Sequence, residues 1–243
     1  MSLDYTTYLN QIANLMATTT TSSDFTVMAP GMIDYAEGRV YRDADLLFTQ
    51  VTDATAFASS GDRNFTLPIT SSNAFSGIFI IVDNINVITP VTTTSSNGTR
   101  IPLTPTSRDF LDMLYPSGQT VTGVPSFWAM ASNTEVIFGP SPDAAYNVEI
   151  IGVQRPNPLS ASNSSTFLTQ YVPDVFIAAS MVFASGFQRD FSAQGDNPAQ
   201  GNSWEAQYSK LFQSMNLEQI RAKYQSEAWT SESPSPVATP KRV

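Results

Sequence analysis

Carboxylates are the only side chains in this sequence whose types and spacing could do chemistry. Histidine and cysteine are both absent. That removes the usual general base, the Ser-His-Asp relay, the thiolate nucleophile and the commonest metal ligands. No Gly-x-x-x-x-Gly-Lys phosphate loop, Gly-x-Gly-x-x-Gly turn or Ser-x-x-Lys pair occurs. Three carboxylate groupings remain. Asp43 and Asp45 have the DxD spacing that holds a divalent cation in some enzymes, but at i, i+2 on a helix they point to different faces; a solvated helix end is the plainer reading. Asp109 and Asp112, at i, i+3, share a helical face and could converge on a ligand, or serve as a cap and a surface charge. Glu135 and Glu149 lie on predicted strands near Phe127 and Trp128. A two-carboxylate glycosidase needs such acids at the rim of an aromatic groove, and a carbohydrate-active or carbohydrate-binding β-rich tail protein is the alternative this constellation leaves open. Their spacing does not separate that reading from packing aromatics and edge-strand charges. No catalytic residue, metal site or cofactor is expected, and the chain reads as a structural interaction subunit.

The elements that must carry these groups follow from apolar periodicity. Tyr5, Tyr8, Leu9, Ile12, Leu15 and Met16 recur at helical spacing, predicting a helix over about 4–17 that the hydroxyl-rich run Thr18–Ser23 ends. A second helix is expected after Pro30, with Ile33, Ala36, Val40, Ala44 and Leu47 as its buried stripe. From there to Arg155 short β-branched runs alternate with Gly, Pro, Asn and Ser: Asn64–Leu67, Ile78–Val82, Ile85–Ile88, Glu135–Phe138 and Val148–Val153. Asn97-Gly98 reads as a hairpin tip, and a short helix at Ser107–Leu114 starts on a box-like Thr106 and Asp109. After a Pro-rich connector over 154–167, a helix over about 172–191 is apolar nearly all round, with Ala178, Ala179, Ser180, Ala184 and Gly186 allowing close neighbours. Asn197-Pro198 then opens a helix to about Ala228, with Trp204, Tyr208, Leu211, Phe212 and Met215 on one stripe. The expected fold is α+β: terminal helices packed into a bundle, with an antiparallel β-rich insert in the middle. The expected parts are 1–47, N-terminal helices; 48–155, the insert; 156–229, C-terminal helices; and 230–243, an extended or disordered tail too poor in apolar residues to fold alone.

Composition narrows the partners. Of the 243 residues 42% are hydrophobic, enough for a sizeable core, yet only 14% are charged, against about 25% in ordinary soluble domains. A surface built from Ser, Thr, Asn and Gln suits a protein that buries much of its exterior against other subunits. The net charge of −9 leaves no cationic footprint for nucleic acid. Such an acidic surface either confers solubility or repels DNA so that it slides without sticking. No run approaches the roughly 18 apolar residues of a membrane span, and the start Met1-Ser-Leu-Asp-Tyr5 lacks the basic and apolar regions of a signal peptide.

Three stretches carry a resemblance. The N-terminal one is Asp4-Tyr-Thr-Thr-Tyr-Leu-Asn-Gln-Ile-Ala-Asn-Leu-Met16 with Met32-Ile-Asp-Tyr-Ala-Glu-Gly-Arg-Val-Tyr-Arg-Asp-Ala-Asp-Leu46. The middle one comprises Asn86-Val-Ile-Thr-Pro90, Pro105-Thr-Ser-Arg-Asp-Phe-Leu111 and Phe138-Gly-Pro-Ser-Pro-Asp-Ala-Ala-Tyr146. The C-terminal one is Tyr171-Val-Pro-Asp-Val-Phe-Ile-Ala-Ala-Ser-Met-Val-Phe-Ala-Ser-Gly186 with Ser203-Trp-Glu-Ala-Gln-Tyr208. In this pattern the chain resembles the head-to-tail adaptor (connector) proteins of short-tailed bacteriophages, in the group of an elongated-head podovirus. The resemblance implies a dodecameric ring beneath the phage portal protein, made in the host cytoplasm and kept in the virion at the head–tail interface. It further implies contacts to a tail nozzle or tail tube protein and to tail fibres, DNA passing through without specific binding, and no membrane partner. The C-terminal arm of that family reaches the portal, which assigns the portal contact to Trp229, Pro234, Pro236, Pro240, Lys241, Arg242 and Val243.

Overall fold

The structure, a computed structural model, describes residues 3–70, 75–116, 121–187 and 199–224. Helices stand at the two ends of the sequence. α1 spans Tyr5–Leu15 and α2 Ser23–Asp43; the last three are α4 (Phe167–Tyr171), α5 (Pro173–Phe187) and α6 (Ala199–Tyr224), with a short α3 (Arg108–Leu114) in mid-chain. Between them run β1 (Gln50–Ala58), β2 (Asn64–Thr66), β3 (Ile69–Thr70), β4 (Gly77–Thr89), β5 (Thr99–Pro102) and β6 (Thr104–Pro105). After α3 come β7 (Thr122–Gly123), β8 (Phe127–Met130), β9 (Glu135–Gly139), β10 (Ser141–Pro142) and β11 (Tyr146–Pro156). The fold is α+β.

Local chemistry sets the first helix. Asp4 Oδ1 accepts the Thr7 N–H at 2.7 Å and Thr7 Oγ1 accepts the Asp4 N–H at 2.8 Å, a reciprocal box on the helix start. At its end Ala17 adopts φ 53°, the Thr18 N–H bonds to the Ala13 carbonyl, and the chain reverses. The second helix begins seven residues before the expected Pro30 and carries that proline inside it. A proline there deprives the Thr26 carbonyl of its helical donor. Phe25, Met28 and Ala29, buried before it, supply the packing that overrides this cost.

These helices share one core. α5 buries Val175, Phe176, Ala178, Ala179, Ser180, Met181 and Ala184, and α1, α2 and α6 bring Tyr8, Ile12, Met32, Ala36, Tyr208 and Met215 into the same cluster. Tyr8 stacks on Phe176 with ring centroids 4.7 Å apart. Its hydroxyl lies 2.6 Å from Ser180 Oγ, whose own proton goes to the Phe176 carbonyl, so Tyr8 is the donor. The short α4, not expected from the sequence, lies at the end of the connector, and the helix expected over 172–191 that follows it is α5, with Pro173 in its first turn. Its last residues, like the Asn197-Pro198 start and the 225–228 end expected for the final helix, lie outside the described residues.

In the middle, β1, β11, β4 and β3 form an antiparallel sheet, and β5 pairs with the far half of β4. A second sheet runs β2-β9-β8-β6, and β10 pairs with β7. Phe79, Ile85, Val87, Val148 and Ile150 from the first sheet share a core with Phe65, Trp128, Val136 and Phe138 from the second. The two runs expected as separate strands, Ile78–Val82 and Ile85–Ile88, are one strand, β4. Its register against β11 slips twice, leaving Ile80 and Asp83 as bulged residues. Asn97-Gly98 is not a two-residue tip; it ends a longer connection over residues 90–98, where the Gly98 N–H bonds to the Thr94 carbonyl.

The bulge at Asp83 faces Gly152, where any Cβ would collide with the Ile81 carbonyl oxygen. Gly152→Ala should therefore lower unfolding stability by about 2–3 kcal/mol, read as a fall in the denaturation midpoint. A neutral substitution would mean that β4 and β11 are less closely apposed than described.

Candidate interaction surfaces

Four of the six carboxylates singled out for chemistry, Asp43, Asp45, Asp112 and Glu149, are engaged in ion pairs or hydrogen bonds. Asp43 accepts the Tyr208 hydroxyl at 2.9 Å and lies 3.6 Å from Arg39 Nε, while Asp45, beyond the helix, pairs with Lys223. Both tie α6 to the end of α2. Asp109 sits in the first turn of α3, but the cap is Ser107, whose hydroxyl accepts the Phe110 N–H; Thr106 does not cap. Asp112 pairs with Arg63 at 2.8 Å. Glu149 is buried under a two-pronged bond to Arg100 and a bond from Asn86. The Arg100 guanidinium holds its carboxyl below the usual range, wrong for an acid that must deliver a proton. Glu135 is exposed at the start of β9, on the other sheet from Glu149. Trp128 is buried in the β core, and Phe127 packs edge-on against Phe110 at 6.1 Å, so neither offers an open stacking platform. Among the described residues no group of His, Cys, Asp and Glu could hold a metal ion. The residues assigned to the portal contact, Trp229 through Val243, lie outside the described residues.

Among the described residues, two exposed apolar surfaces stand out. The larger is on the first sheet. A strand alternates its faces, so with Phe79 turned inward Ile81 should follow it. The bulge at Ile80 breaks that alternation, and Ile78, Ile80 and Ile81 all end about half exposed (51–53%). Across the sheet Ile69, paired with Ile78, is 70% exposed. Of these, Ile69, Ile78 and Ile80 line, with Leu67 and Pro68, a groove of about 530 Å³ that no charged residue borders. The adjacent pair Ile80-Ile81 was the sequence signal for it, because a strand with one buried face does not place two neighbours alike. The other surface is the outer face of α6, where Leu217, Ile220 and Tyr224 are exposed at helical spacing.

The two structural halves are joined at the root of the sheet. Phe48 stacks on Phe167 at 4.2 Å and meets Phe75 edge-on, and the Leu47 N–H donates to Gln219 Oε1. On the opposite flank Glu37, 5% exposed, accepts the Leu159 N–H at 3.0 Å and so fastens the connector to α2. A cavity of about 200 Å³ opens there, bordered by Asp34, Glu37, Tyr41 and Arg155. Burial pushes the Glu37 carboxyl up to about 7; the negative Asp34 adds to this, while the Leu159 N–H and Arg155 oppose it.

The chain therefore has a body knitted from both of its ends and a β-rich part that carries an uncharged apolar groove. A family model described as SU10 adaptor protein matches residues 3–239, and the chain belongs to that family of bacteriophage head–tail adaptors. No curated protein matches it. Membership implies a structural, non-catalytic role in the virion and interaction with portal and tail components. No described helix is long and apolar enough to cross a membrane.

The buried Glu37 makes stability depend on pH. Its folded value near 7 lies above the ordinary 4.5, so the unfolded chain releases this proton first and stability falls as pH rises between those values. Glu37→Gln keeps an acceptor for Leu159 and removes the charge. The variant should be more stable than the parent by up to about 3 kcal/mol at pH 8 and nearly equal to it below pH 5. Thermal melts across this range check it; a pH-independent difference would show that the carboxyl is not desolvated.

Proposed function

We propose that this chain is the ring-forming adaptor between portal and tail, extending the DNA channel and giving tail proteins their docking site. The observation that carries the reading is the isoleucine groove. It lies on the insert, built on a core separate from the helical one, so one part of the chain binds without disturbing the other. In this reading residues 1–47 and 156–229 form the ring body, 48–155 is the insert that meets a tail nozzle or tube protein, and 230–243 is the arm to the portal. Trp229, Pro234, Pro236, Pro240, Lys241, Arg242 and Val243 are its contacts. A Ser/Pro-rich arm that orders on docking gives up chain entropy at that moment, which suits a junction assembled in sequence. The acidic balance of the chain supports passage of DNA without adhesion. Assembly takes place in the host cytoplasm, and tail fibres are further partners.

Electron microscopy of purified virions tests the placement: a closed ring of this chain is expected between portal and tail, and finding the chain at a fibre tip overturns the reading. Ile80→Glu tests the groove. The side chain is half exposed and bulged, so the fold should survive. Particles carrying it should accumulate as filled heads without tails, with infectivity down by at least tenfold. Normal tailed particles would rule the groove out as the tail contact.

A further inference from the structure

We infer that neighbouring subunits join by packing the outer face of α6 on one copy against the outer face of the N-terminal half of α2 on the next, antiparallel. The inference rests on the ring reading and specifies its subunit contact. Both helices pack on α5 and turn their remaining faces to solvent. Along α6 the free face presents Lys210, Leu217, Ile220, Arg221 and Tyr224. Its two cations have no ion-pair partner among the described residues, and the nearest acid, Glu218, lies about 100° round the helix from Leu217. Along α2 the free face presents Asp24, Val27, Pro30, Gly31 and Asp34. Ser23–Asp34 carries two charges, both acidic and neither in an ion pair among the described residues.

Sign and spacing are complementary. Lys210 and Arg221 stand about 16 Å apart along their helix, and Asp24 and Asp34 about 15 Å apart along theirs. Antiparallel packing sets Arg221 against Asp24 and Lys210 against Asp34. It then brings Leu217 over Val27, and the small Gly31 lets the helices approach. The two patches differ, so each copy offers one of each, and the contact is head-to-tail rather than isologous. Such a contact builds a ring when its rotation closes.

The sequence holds no cysteine, so introduced thiols report proximity without background. Particles assembled with full-length chain carrying Val27→Cys and Leu217→Cys, mildly oxidised, should give a ladder of covalent multimers, while each single variant gives monomer. A ring seen by microscopy without a ladder overturns this contact and leaves the adaptor reading intact; a chain missing from the head–tail junction overturns the adaptor reading itself. Covalent dimers from Leu217→Cys alone would indicate an isologous contact and also overturn the inference. Charge reversal gives an independent check on exposed positions that should not affect folding. Lys210→Glu with Arg221→Glu should reduce incorporation into particles at least tenfold, and adding Asp24→Lys with Asp34→Lys should restore it. Failure of that restoration, with both variants folded, argues against the pairing.

Discussion

The structure depends on the burial of α5. Over residues 173–186 only Asp174 and Gly186 are exposed, so the helix can exist in water only when other elements surround it. Apolar surface removed from water is worth about 25 cal/mol per Å², and a helix apolar on nearly every side draws that gain from several neighbours. The residues that supply it come from both ends of the chain. Tyr8 reaches Phe176 and Ser180 from the first helix, and Tyr208 and Met215 close over α5 from the last. Everything between must therefore leave this body and return to it.

That return explains where the polar groups went. Arg39 holds Glu205 through two bonds of 2.7 and 2.5 Å and lies 4.1 Å over the Tyr208 ring, locking α6 against α2. Lys223 with Asp45 and Gln219 with Leu47 do the same where the sheet begins, and Glu37 with Leu159 where it ends. Of the acids that looked available for chemistry, Asp43 and Asp45 are spent on these joints, Asp112 on Arg63, and Glu149 on a buried pair inside the sheet. At Glu149 the paired Arg100 lowers the carboxyl's proton affinity, so the contact that holds the sheet argues against its use as a proton donor.

Exposed apolar surface arises instead from departures from regularity. A strand of perfect alternation would bury half of its isoleucines; the bulge at Ile80 turns Ile80 and Ile81 outward beside Ile78 and Ile69. On α6 the stripe that packs inward, Tyr208, Phe212 and Met215, leaves Leu217, Ile220 and Tyr224 on the far side because the helix carries apolar residues on more than one face.

The sequence by itself determined the helical ends, the β-rich middle, the absence of histidine and cysteine chemistry and the resemblance to phage adaptors. Those depend on residue type and on periods of 3.6 and 2, which are local. It placed the second helix start at Pro30, because a proline's local penalty is visible in sequence and the burial of Phe25, Met28 and Ala29 that outweighs it is not. It read two strands where one bulged strand runs, because Asp83 and Asn84 look like a break until β11 is seen to span them. Only the tertiary structure decided that Glu37 is buried at a joint, that Trp128 lies inside the core, and that three isoleucines from two strands line one groove. Each of these depends on which distant residues come to lie alongside, and local periodicity does not encode that.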